Sequence, residues 1–166
     1  CQRISIARAM ISEPKVIVCD EPVSSLDVSI QAQICNLLRD LQRDTGIALL
    51  FISHDLSIVR YMSHRVLVMY LGRVMETGRR EEFFGAPRHP YSQALISAVP
   101  VPDPDRTPAE RSLVLDGELP SPLDPPSGCV FRTRCPLAVP VCITQTPALS
   151  EAAPGHGVAC HRWEET

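Results

Sequence analysis

Lysine is almost missing from this chain: of 166 residues only Lys15 is a lysine, and the rest of the 16 basic residues are arginine. No Lys/Arg run stands out as a patch, and a formal net charge of -3 offers no electrostatic footprint for nucleic acid. Long apolar runs are missing too. The longest, Ile47 to Ile52, is far short of the roughly 20 residues that a membrane span requires, and no signal peptide precedes it. That pattern reads as soluble, or peripheral to a membrane at most. There is no G-x-x-x-x-G-K-[ST] loop, so the backbone cradle that holds nucleotide phosphates is not among these residues, and Lys15 has no glycine loop around it. An initiator Met is also lacking. The chain opens with Cys1-Gln2-Arg3 inside a stretch that reads as helix, so it is expected to be a fragment.

What remains is ordinary globular composition, 45% hydrophobic and 21% charged, enough for one sizeable core or two small ones. Proline divides it: two of the 16 prolines precede residue 87 and fourteen fall from Pro87 onward, so regular elements are expected in the first half and few in the second. Lys15 to Asp20 and Ile47 to Ser53 read as strands apolar enough to be buried on both faces. Asp27 to Asp44 reads as an amphipathic helix carrying Ile30, Ile34, Leu37, Leu38 and Leu41, with Gly46 as its stop. Asp55 to His64 reads as a helix with Leu56, Val59 and Met62 inward. Arg65 to Thr77 reads as two strands around Leu71-Gly72. Helix, strand, helix and strand in turn imply an α/β fold with a parallel sheet covered by helices on both faces.

Such a sheet presents ligand-binding groups at the carboxyl ends of its strands. The run Val16-Ile17-Val18-Cys19 stops at two adjacent carboxylates, Asp20 and Glu21, while His54 closes the neighbouring strand. One carboxylate can hold a hydrated Mg²⁺ on phosphates while the other polarises an attacking water. A histidine beside them can donate to the terminal phosphate. The plainer alternative is that Asp20 and Glu21 cap a strand and His54 caps a helix.

Four cysteines stand apart in the proline-rich half: Cys129, Cys135, Cys142 and Cys160, spaced C-x5-C-x6-C-x17-C. An iron-sulfur cluster, a zinc site on four thiolates and disulfides are all compatible with such a set, although the C-x2-4-C pairs usual for structural zinc are absent. Cys1, Cys19 and Cys35 read as unconnected structural thiols of a reducing compartment. His156 and His161 flank Cys160 and read as loop histidines. Arg132, Arg134 and Arg162 lie close by in sequence, where they would offset thiolate charge or simply be solvated.

The motifs together resemble one family. Gln2-Arg3-Ile4-Ser5-Ile6-Ala7-Arg8-Ala9 is similar to the helix after the signature loop of ABC ATPases, Val16 to Glu21 to their Walker B strand, Ser25-Leu26-Asp27 to their D-loop, and Ile52-Ser53-His54-Asp55 to their switch histidine. With Val68-Met69-Tyr70-Leu71-Gly72-Arg73, His89-Pro90-Tyr91, Leu95-Ile96-Ser97-Ala98-Val99-Pro100 and the terminal cysteines, the pattern resembles the ATP-binding subunits of bacterial oligopeptide/dipeptide ABC importers.

That resemblance implies the C-terminal part of a P-loop NTPase core over residues 1–86, a helix and proline-rich linker over 87–110, and an accessory region with an irregular Cys/Pro-rich tail over 111–166. It implies ATP and Mg²⁺ as cofactors, with Asp20 toward Mg²⁺, Glu21 as general base, His54 at the γ-phosphate and Asp27 facing a partner ATPase subunit, identical or different. It also implies two permease subunits, an extracytoplasmic peptide-binding protein as indirect partner, no nucleic acid, and a peripheral place on the cytoplasmic face of the membrane. Some members hold a [4Fe-4S] cluster on a similar cysteine set, zinc being the alternative here. Lacking the phosphate loop and the signature loop, the chain alone is expected not to turn over ATP. A soluble ABC-type ATPase of translation or DNA maintenance, with a metal-binding tail, is the competing expectation.

Overall fold

The computed structural model describes residues 2–99, 115 and 117–166. Cys1 and the expected stiff connector from Pro100 to Pro108 lie outside the described residues. The chain forms two compact units, 1–63 and 64–166.

The first unit begins with helix α1 (Gln2–Met10), then strand β1 (Val16–Asp20), helix α2 (Val28–Thr45), strand β2 (Ala48–Ile52) and helix α3 (Leu56–Met62). β1 and β2 pair in parallel, Val16 opposite Ala48 through Asp20 opposite Ile52. Helix boundaries follow local chemistry. Asp27 is extended (φ -67°, ψ 155°) and its carboxylate accepts from the Ile30 amide at 3.0 Å, while Gly46 takes the left-handed conformation (φ 71°) that ends α2. Asp55 caps α3 in the same way, accepting from the Ser57 and Ile58 amides at 2.8 and 3.3 Å. The core of this unit is Cys19, Val23, Ile34, Cys35, Leu38 and Met62, joined by partly buried Ile17, Leu49, Phe51 and Ile58.

The expectation of a sheet covered on both faces is corrected here. α2 and α3 supply one cover, but on the opposite face Val16, Val18, Leu50 and Ile52 are 55%, 60%, 56% and 44% exposed. Side chains alternate across a strand, so the continuous apolar runs reflect one face packed on helices and one face open within this unit. α1 has no buried residue. It leaves an open groove of about 440 Å³ against α2, lined by Arg3, Ile6, Met10, Ile11, Leu37 and Leu41.

The second unit is built on a hairpin of β3 (Arg65–Tyr70) and β4 (Arg73–Arg79). Leu71 (φ 45°) and Gly72 (φ 74°) make its turn, two consecutive left-handed residues that match the right-handed twist of the strands. Helices α4 (Arg80–Gly85) and α5 (Pro90–Ser97) follow, and beyond them a short helix α6 (Val141–Thr144). The irregular tail that was expected contains regular structure. Strands β5 (Ser150–Ala153) and β6 (His156–Val158) extend the hairpin into a four-stranded antiparallel sheet ordered β3-β4-β6-β5. Phe83 and Phe131 are fully buried, and Tyr70, Tyr91 and Phe131 form a ring cluster with centroids 5.0 to 5.3 Å apart.

Candidate nucleotide-hydrolysis site

The parallel register fixes this site. With Asp20 opposite Ile52, the Glu21 amide donates to the Ile52 carbonyl at 3.0 Å, and the two chains leave the sheet side by side. Glu21 departs in the left-handed region (φ 47°), an uncommon conformation for a residue with a side chain. Residues held in such regions cluster at functional sites, where surrounding structure offsets the strain. The Ser24 amide and hydroxyl both donate to the Glu21 carbonyl, at 3.4 and 3.1 Å, and secure the turn.

From opposite strands, His54 and Glu21 meet directly: Nδ1 lies 2.8 Å from Oε1. Both side chains are open to solvent, 75% and 38% exposed. Hydrogen bonding to Glu21, reinforced by its charge, holds the His54 imidazole above its ordinary pKa, favouring the protonated donor form. Asp20, the last residue of β1, is exposed beside this pair. Asp27 sits one turn of chain further, where Ser29 Oγ donates to its carboxylate at 2.7 Å and the Ile30 amide adds a second bond. Those bonds hold the Asp27 carboxyl below the usual carboxylate range.

So β1 and β2 bring Glu21 and His54 into contact, with Asp20 adjoining. Asp27 is spent on capping α2, the Ser29 hydroxyl and the Ile30 amide both donating to its Oδ1.

The four cysteines lie in the second unit. Sequence spacing left their grouping open, and the fold brings them into one electrostatic neighbourhood: Cys135 feels Cys160, Cys129 and Cys142, and the Cys129 amide donates to the Cys142 carbonyl at 2.8 Å. All four are free thiols. Burial pushes Cys129 and Cys160 upward and Cys135 to about 11, so these groups are held protonated. Among the described residues, no three His, Cys, Asp or Glu side chains are placed to hold a metal ion. The expected [4Fe-4S] or zinc centre is therefore unsupported by this arrangement, and no chemistry is assigned to it.

The histidines read as loop residues separate. His161 faces the Gln145 carbonyl at 3.0 Å, whereas His156 is buried in β6 with Nε2 2.7 Å from Glu76 Oε1. Glu76 escaped notice because an acid in an amphipathic strand reads as solvent-facing, and the pairing that buries it spans 80 residues.

Comparisons with known proteins agree with the motifs. Residues 75–142 match the family described as the oligopeptide/dipeptide transporter, C-terminal region. The oligopeptide transport ATP-binding protein OppF of Salmonella typhimurium is 59% identical over 160 residues, which cover 96% of this chain and 48% of that protein. OppF of Escherichia coli gives the same identity and coverage, and that of Haemophilus influenzae is 56% identical over 160 residues, again 96% of this chain and 48% of its own. The chain thus spans about half the length of the curated relatives it matches. A solved structure, cbiO1 from Clostridium perfringens, part of the ABC transporter complex cbiONQ, matches 51% of this chain and 34% of its own at 37% identity and a TM-score of 0.48. Along nearly all of its length, then, the chain is similar to the oligopeptide transport ATP-binding proteins of these bacteria, and its residues 75–142 match the family described as the oligopeptide/dipeptide transporter, C-terminal region.

Proposed function

We propose that residues 16–55 form the hydrolytic edge of an ABC-type ATPase that energises oligopeptide import. The observation that carries this reading is the 2.8 Å contact between His54 and Glu21 across the carboxyl ends of two parallel strands. Glu21 orients a water and takes up its proton, since its second carboxylate oxygen is not bonded to His54. His54, kept toward its protonated form by Glu21, donates to the terminal phosphate and offsets the charge developing there.

The exposed carboxylate of Asp20 is a hard oxygen donor of the kind Mg²⁺ takes, so the donor set fits that ion. When bound there, Mg²⁺ would neutralise phosphate charge. Asp27 would face a second ATPase subunit across the shared nucleotide. The partners that follow from this reading are that subunit, identical or different, and two permeases, with the protein peripheral to the cytoplasmic membrane face. Among the described residues no helix is long and apolar enough to cross a membrane. Likeness to transport ATP-binding proteins favours this reading over a soluble ATPase of translation or DNA maintenance.

The test uses the full-length protein. Glu21→Gln is expected to keep nucleotide affinity within about threefold while steady-state turnover falls by roughly 100-fold or more, the scale of removing a general base. Unchanged turnover would overturn the assignment. Independently, NMR titration of His54 should show its pKa falling toward the ordinary value in Glu21→Gln.

A further inference from the structure

In the second unit, three polar tips converge that nothing above uses. Tyr70, at the end of β3, is 5% exposed, and its hydroxyl is buried with no hydrogen-bond partner. Tyr91, in the first turn of α5, stacks edge-on against it with ring centroids 5.0 Å apart. Arg134 is half-buried, and its Nε is sealed from solvent without a partner. The Arg134 amide donates at 3.0 Å to the carbonyl of Phe131, whose ring packs on both tyrosines, and the Tyr91 phenol feels both Tyr70 and Arg134 electrostatically. Phe131 closes one side, its ring 5.3 Å from Tyr70 and 5.2 Å from Tyr91.

This arrangement is costly as it stands. A buried hydroxyl without a partner forfeits its bonds to water, and so does a guanidinium N–H sealed from solvent without an acceptor. Each tip can donate, the two phenols can also accept, and the guanidinium is a permanent cation. No described carboxylate is paired with Arg134; among the described residues of this unit the ion pairs join Arg80 to Glu81, His156 to Glu76 and Arg162 to Glu165. Two phenol donors beside a guanidinium that no described carboxylate neutralises favour an acceptor bearing negative charge. Both Tyr91 and Arg134 retain partial exposure, so such a group reaches the set from their side.

We propose that Tyr70, Tyr91 and Arg134 form a binding site for a small oxyanion of the inorganic phosphate class. The planar guanidinium and two phenols supply the directed donors that a tetrahedral oxyanion accepts. The site lies within the second unit and does not depend on the nucleotide reading.

The experiment is thermal unfolding of the 166-residue chain in phosphate, acetate or chloride at matched ionic strength, for wild type, Tyr70→Phe and Arg134→Gln. The expected result is a saturable rise in midpoint with phosphate that exceeds the chloride response. Tyr70→Phe should weaken apparent phosphate affinity at least threefold and Arg134→Gln at least tenfold, with circular dichroism unchanged. Because Tyr70→Phe only deletes an unpartnered hydroxyl, an empty site predicts that it is neutral or stabilising in every salt; that result overturns the proposal. Equal responses to phosphate and chloride overturn it as well. Saturation by acetate alone assigns the donors to a carboxylate and overturns the phosphate class.

Discussion

His156 Nε2 lies 2.7 Å from Glu76 Oε1, and the two side chains are 5% and 0% exposed. This pair fastens the last strand of the sheet to the central hairpin. The same carboxylate accepts from the Arg88 amide at 2.8 Å and the His89 amide at 2.9 Å, so one buried acid ties β4 to β6 and to the segment entering α5. Gly78 makes room for the pair, since a Cβ there would stand 3.2 Å from the His156 ring.

Removing the acid strands all three donors. Each buried group left without its partner costs on the order of 1–3 kcal/mol. Glu76→Ala is accordingly expected to lower the urea midpoint of residues 64–166 sharply, and to expose residues 150–166 to proteolysis at concentrations that leave wild type intact. Glu76→Gln should cost less, since the amide keeps an acceptor oxygen. An Ala variant within about 0.5 kcal/mol of wild type, the range of ordinary surface substitutions, would show that the pair is incidental.

His89 gives the second unit an acid-sensitive element. The residue is 1% exposed, its Nδ1 accepts from the Tyr91 amide at 3.0 Å, and burial drives its pKa down to about 4 against an opposing pull from Glu76. The folded chain thus binds this proton more weakly than the unfolded chain does. Its neutral state contributes stability that is complete above the unfolded value near 6.5 and is lost progressively as the pH falls toward 4. A shift of that size corresponds to roughly 3 kcal/mol across the window. Urea unfolding at pH 7.5 and pH 4.5 should show this loss in wild type and a smaller one in His89→Asn, which retains a capping acceptor but does not titrate. Equal losses in the two proteins would remove His89 as the cause.

Half of this architecture could be read directly from residue order, because its determinants are local. Asp27 and Gly46 bracket α2 within one helix length, and Leu71-Gly72 marks the hairpin. The contact between Glu21 and His54 followed from two strands ending in chemistry, since parallel neighbours deliver their carboxyl ends to one edge. The open face of Val16, Val18, Leu50 and Ile52 was not legible, because an apolar run reports the need for cover and not what the rest of the unit provides. Nor was β6. Its three residues His156-Gly157-Val158 have no periodicity of their own and become a strand by pairing with Glu76 and Thr77 far upstream.

Thiol reactivity follows from the burial of the four cysteines. With Cys135 pushed to about 11, against 9.0 for an ordinary thiol, its thiolate fraction at neutral pH is roughly 100-fold lower, and the thiolate is the attacking form. Iodoacetamide at pH 7 should modify Cys135 at least that much more slowly than free glutathione, with Cys129 and Cys160 also retarded. Urea should restore the ordinary rate at all three. Prior EDTA treatment is expected to leave the native rates unchanged, since the thiols are held protonated by burial. Acceleration after chelation would show instead that a metal protects them.

Gly128 and Gly155 separate conformational strain from collision. Both adopt positive φ, 66° and 77°, so alanine at either carries the left-handed penalty of about 1–2 kcal/mol. At Gly155 a Cβ would meet only the end of the Arg65 side chain at 3.5 Å, which can move aside. At Gly128 it would stand 2.4 Å from the Cys142 carbonyl oxygen and 2.8 Å from the Ile143 backbone. That backbone cannot retreat freely, because the Cys129 amide holds the Cys142 carbonyl at 2.8 Å and Ser127 Oγ holds the Ile143 carbonyl at 3.0 Å. Gly128→Ala is therefore expected to destabilise more than Gly155→Ala and to raise the alkylation rates of Cys129 and Cys142, whose segments it forces apart. Equal unfolding midpoints for the two variants would mean that the close approach of these segments contributes nothing to holding the cysteines together.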